Sequence, residues 1–122
     1  MIRIERLTKR YGKTAVLHEV DLTVARGSAV ALWGPNGAGK TTVLLCILGF
    51  LVYDGMITVD DLDASRDGKR VRSRIGYVPQ RPGFYDDLTV AETLRLSASL
   101  RRLDTRRISD VADMVGITGQ EG

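Results

Sequence analysis

Gly34-Pro-Asn-Gly-Ala-Gly-Lys-Thr-Thr42 puts glycines at 34, 37 and 39 immediately before a lysine and two hydroxyls, and those residue types at that spacing bind polyphosphate. Glycines let the backbone turn its N–H groups inward around an anion with no Cβ in the way. The pattern Gly34-x-x-x-x-Gly39-Lys40-Thr41 is the Walker A spacing, and it sets the lysine at the start of a helix. The unpaired N–H groups and partial positive charge of that helix end face the same anion. Lys40 then reaches β- and γ-phosphates, and the Thr41 hydroxyl can ligate Mg²⁺.

Such a loop works only between a strand and a helix. Ser28-Ala-Val-Ala-Leu-Trp33 is apolar from Ala29 onward without alternation, as expected of a strand buried on both faces of a parallel sheet. The run KTTVLLCILGF from Lys40 has helical length and ends near Gly49. Upstream, Ile2–Leu7 and Val20–Val24 alternate apolar with polar residues, the pattern of half-buried strands, around a turn in TKRYGKTA. Gly55–Asp60 and Ile75–Val78 read as two further short strands, separated by a polar stretch whose Asp-Gly-Lys predicts a turn and a short helix. Pro79-Gln-Arg-Pro-Gly83 must be a loop. Beyond it, Thr89 with Glu92 three residues later forms a capping-box pattern for a helix carrying Leu94 and Ala98. Ile108, Val111, Ala112 and Val115 recur at helical spacing and stop at Gly116, so the second half ends in a helical hairpin.

Composition narrows the classes. The chain has 122 residues, 43% hydrophobic and 27% charged, the balance of an ordinary soluble domain. Its longest apolar run, Val43–Val52, is broken by Gly49 and falls short of the ~20 residues a bilayer requires. The N-terminus MIRIERLTKR has no continuous apolar stretch, so it does not read as a secretory leader, and the cytoplasm is the expected compartment. Cys46, the single cysteine, is flanked by leucines and isoleucine and reads as a packing residue, and His18 reads as a structural or surface residue. Eighteen Lys and Arg against fifteen Asp and Glu leave a small basic excess, gathered at residues 66–74 and 101–107. Neither cluster is interleaved with aromatics, and nucleic acid is not an expected partner.

With these residues in view, the chain resembles the ATP-binding cassette (ABC) ATPases over nearly its whole length. The loop form GPNGAGKTT, with its second threonine, is more specific to that family than the general phosphate-loop pattern. Tyr11 in KRYG matches the aromatic that stacks on adenine in the family, and Val16 matches its apolar contact beside the base or ribose. YVPQ, ending in Gln80, is similar to the family's Q-loop, whose glutamine touches Mg²⁺ or the attacking water. The following FYDDLTVAETL is similar to the start of its helical subdomain. Trp33, bulkier than the family's usual residue before the loop, and the lack of a proline before the Asp54-Gly55 turn are departures that leave the chemistry untouched.

The resemblance implies an α/β P-loop NTPase with a mixed sheet whose N-terminal part is antiparallel. It implies an ATP-binding core over 1–87 and the start of a helical subdomain over 88–122. ATP and Mg²⁺ would be held by Tyr11, Val16, Gly34, Asn36, Gly37, Ala38, Gly39, Lys40, Thr41 and Thr42, with Lys40 and Gln80 as catalytic groups and Thr41 and Gln80 on the metal. The family's LSGGQ-like signature, Walker B strand and switch histidine are not in the sequence, so this stretch is expected to bind nucleotide without hydrolysing it. The implied function is the ATP-binding subunit of an ABC transporter, peripheral on the cytoplasmic face of a membrane. Expected partners are a second cassette and transmembrane permease subunits, the latter docking on Gln80–Leu88 with Phe84 and Tyr85. A soluble ABC protein acting on ribosome or DNA is the alternative.

Overall fold

The computed structural model describes every residue except 82, 84 and 118–122. By contacts it divides into two compact units, Met1–Gly76 and Tyr77–Gly122. The first is built on a four-stranded sheet in the order β2-β1-β3-β4, antiparallel throughout. β1 (Ile2–Tyr11) and β2 (Thr14–Val24) form a hairpin closed by Gly12-Lys13, with Gly12 at φ +58. The sequence placed a longer turn here; cross-strand pairing carries both strands to Tyr11↔Thr14. β3 (Asp54–Val59) pairs on the other side of β1 with Ile4 opposite Ile57. Asp60 and Asp61, both at positive φ, then turn the chain into β4 (Leu62–Asp63).

Ile4 and Leu7 are both buried although three residues apart, a spacing that would put them on opposite faces of a regular strand. A bulge between them resolves this: the register shifts after Ile4, and Arg6 sits at φ +48, so one residue is absorbed and Leu7 returns to the core face. Gly55 lies against the bulge, where a Cβ would come within 2.6 Å of the Glu5 carbonyl oxygen. α1 (Lys40–Ile47) lays Val43, Cys46 and Ile47 on this face with Leu17, Ile57 and Val59. α2 (Gly68–Arg72), the short helix the Asp-Gly-Lys turn predicts, adds Val71. Cys46 is fully buried and burial pushes its thiol up, as a packing residue requires.

Asp60 ties the edges of this unit together. Its carboxylate accepts from the terminal ammonium at 2.6 Å and from Arg26 at 3.3 Å, and Arg74 lies 3.6 Å from its second oxygen. The hydrogen bond from the terminal ammonium, then that from Arg26, holds its carboxyl below the usual carboxylate range.

Two expected strands form no ladder. Among the described residues, Ser28–Trp33 and Ile75–Val78 belong to no strand of the sheet. Far from being buried on both faces, Val30 is 51% exposed and Trp33 98%. A central strand takes both its hydrogen bonds and its burial from neighbours, and here β1 is already paired on both edges by β2 and β3.

The second unit carries α3 (Val90–Leu100) and α4 (Arg107–Val115), the expected helical hairpin. The capping box is present: Thr89 N–H donates to Glu92 Oε2 at 2.9 Å and Glu92 N–H to Thr89 Oγ1 at 3.3 Å. Gly116 ends α4 at φ +73. No described helix is long and apolar enough to cross a membrane.

Candidate functional site

The loop 34–39 enters α1 through Gly39 at φ +86. A side chain there is excluded twice over, because a Cβ would lie 2.7 Å from Leu17 Cδ2 and 3.3 Å from the Val16 carbonyl oxygen. β2 therefore backs the loop and brings Val16 beside it. Gly37, at φ +84, meets nothing within 4 Å, so conformation alone calls for glycine there. Pro35 and Ala38 close a turn, with Ala38 N–H donating to the Pro35 carbonyl at 3.2 Å.

Lys40 folds back on this turn. Its ammonium donates to the carbonyls of Gly34 and Pro35, both at 2.8 Å, tying the first residue of the helix to the first residues of the loop. The first hydrogen bond into α1 is Val43 N–H to Gly39 carbonyl, so the amides of Lys40, Thr41 and Thr42 lie ahead of the helical ladder. No side chain caps this end and its first turn holds no acidic residue. A helix terminus with free donors, a cation beside it and no internal anion fits a phosphate group, and the exposed Thr41 hydroxyl is free for a metal bound to that phosphate.

Gly34, Asn36, Gly37, Ala38, Gly39, Lys40, Thr41 and Thr42 are contiguous in the loop and first turn of α1, with Val16 beside Gly39. Tyr11 is at the hairpin tip, 49% exposed, with Lys9 Nζ 5.0 Å from its ring centroid. Gln80 and Tyr85 are exposed in the loop of the second unit, and Phe84 lies outside the described residues. Sequence reasoning missed Leu17, whose only signal was its place in an alternating strand. It also missed a cleft of about 350 Å³ beside Lys40, where Leu17 and Val43 face Leu32 and Trp33.

A strand-backed glycine loop opening a helix through a lysine defines the site of a P-loop NTPase. A family model described as "ABC transporter" matches residues 17–122, and the chain belongs to that family. The linearmycin resistance ATP-binding protein LnrL of Bacillus subtilis (strain 168) is 32% identical over 97% of this chain and 40% of its own length. The bacitracin transport ATP-binding protein BcrA of Enterococcus faecalis is 36% identical over 83% of this chain and 33% of its own. A solved structure described as the ATP binding subunit of an ABC transporter superposes with a TM-score of 0.83 at 30% identity, over 95% of this chain and 50% of that one. The chain therefore spans half or less of the length of these relatives.

Proposed function

We propose that this chain is the phosphate-binding part of an ABC transporter's ATP-binding subunit and that it holds Mg-ATP on residues 34–42. The observation that carries the reading is Lys40, fixed between two loop carbonyls at the open, uncapped start of α1. In this reading the glycine-loop amides and those of Lys40–Thr42 bind the phosphates, Lys40 offsets their charge, and Thr41 takes a place on Mg²⁺. Tyr11 and Val16 hold the base and ribose. Gln80 has the part of the family's Q-loop glutamine, a contact to Mg²⁺ or the attacking water. The functional division is an ATP-binding core to residue 87 and a helical part from residue 88, in keeping with the capping box that starts α3 at Thr89.

Of the named relatives, LnrL is a resistance protein and BcrA a transport protein, both ATP-binding. Transport coupling in this reading runs through a second cassette and membrane permease subunits on the cytoplasmic face, with the stretch from Gln80 to Leu88, where Gln80 and Tyr85 are exposed, as the docking edge. A soluble ABC protein acting on ribosome or DNA is the alternative reading.

Isothermal titration with Mg-ATP tests it. Lys40→Ala removes the side-chain cation bonded to the loop and is expected to weaken binding about ten- to a hundredfold, the worth of a charge-assisted hydrogen bond. Equal affinity in the two forms would overturn the assignment.

A further inference from the structure

In the first unit, the chain leaving α1 and the segment leading into α2 enclose a cleft of about 450 Å³ lined by none of residues 34–42, with Phe50, Val52 and Tyr53 along one wall and Ser65, Lys69 and Arg72 along the other. We propose that this cleft docks a polypeptide segment of a partner protein, one that sets a carboxylate on Arg72 and Lys69 and an apolar side chain against Phe50 and Val52.

The cationic wall is built and unspent. The Arg72 guanidinium lies between two glycines, where a Cβ at Gly49 would stand 3.2 Å, and one at Gly68 3.0 Å, from Nη1. The group sits against both glycines, and the side-chain hydrogen bond it makes there is a long one, Nη1 to the Leu48 carbonyl at 3.4 Å. A guanidinium carries five N–H donors in a planar fork suited to a carboxylate, so most remain to be used. Lys69 has no carboxylate partner among the described residues, because the nearby acids are engaged elsewhere: Asp67 with Arg70 at 3.3 Å, Asp63 with Ser65 and Arg66.

The apolar wall is held out to solvent rather than left loose. Phe50 N–H donates to the Leu45 carbonyl at 2.9 Å and Lys9 Nζ to the Val52 carbonyl at 2.6 Å, so both backbones are pinned. Their side chains are nonetheless 62% and 86% exposed. A small anion would satisfy the cations and leave this rim bare. A peptide with an acidic residue next to an aliphatic or aromatic one covers both walls, which is why the occupant is a polypeptide.

The surface is distinct from the phosphate loop, so a loss of ATP binding and a loss of docking are separable. The probe is a random peptide library displayed on phage and panned against the purified chain, the enriched peptide then being measured by fluorescence polarisation. Enriched sequences should pair Asp or Glu with Leu, Ile or Phe. Changing the peptide's acid to its amide, or the protein's Lys69→Gln or Phe50→Ser, should each weaken binding at least about tenfold, with Mg-ATP affinity unchanged. Arg72→Gln should do the same; because Arg72 also touches Leu48, Lys69→Gln is the cleaner variant. Absence of enrichment, enrichment without an acid, or equal binding by the Lys69 and Phe50 variants would overturn the proposal. So would displacement of the peptide by acetate alone or by anionic phosphatidylglycerol vesicles in its place.

Discussion

Gly39 does its work by lacking a side chain. At φ +86, with Leu17 Cδ2 and the Val16 carbonyl inside the space a Cβ would fill, Gly39→Ala combines left-handed strain with overpacking against β2. The two effects together should cost about 2–4 kcal/mol in urea denaturation. If instead the variant kept its stability while nucleotide affinity fell, the loop would be shown to yield independently of the sheet. The glycine spacing and the lysine were readable from the sequence because they are local. The pairing of Gly39 with Val16 and Leu17 was not, since it joins positions more than twenty residues apart that share no pattern. The same holds for Arg72 seated against Gly49 and Gly68: nothing in a run of basic residues distinguishes the one that meets these glycines from its neighbours.

Among the elements, the helices of the second half were the most legible, because their start and stop signals are carried within a few residues. Thr89→Ala removes the acceptor for Glu92 N–H and should destabilise the unit by about 1 kcal/mol, seen as a lower thermal midpoint and reduced helicity by circular dichroism. Glu92 adds a pH dependence. The backbone and then the side-chain hydrogen bond from Thr89 hold its carboxyl below the usual glutamate range. A lowered folded value means the contribution is present above the unfolded pKa and is lost as pH falls through the folded one. The helical signal should therefore decline on acidification below the ordinary glutamate range, and Glu92→Gln should flatten that limb. The strands were less legible. Alternation found β1, β2 and β3, but the bulge at Glu5–Arg6 and the two-residue hairpin are set by pairing. Ser28–Trp33 shows the limit: its residues suit a buried strand, and burial is a property of neighbours that these residues do not specify.

At the scale of the molecule, a phosphate loop without a base to deprotonate water should hold ATP and leave it intact. In the proposed reading Lys40, Thr41 and Gln80 position phosphate and metal and none of the three is a base, and lack of a general base typically costs about a hundred- to ten-thousandfold in rate. The expected result is a thermal midpoint raised by Mg-ATP, since a ligand that binds only the folded form stabilises it, with no phosphate released above background. Turnover abolished by Lys40→Ala would show that the chain supplies more chemistry than its residues indicate. Ala29–Trp33 is an apolar stretch that joins no strand ladder among the described residues, and another strand could add to it. It ends in the chain's single tryptophan, one residue before the loop. Trp33 is thereby a built-in optical probe. In dilute solution its emission should match that of a free indole in water and be quenched by iodide without protection. As chain concentration rises, a shift to shorter wavelength in step with sedimenting mass would report that this segment has found a neighbour, with no label attached.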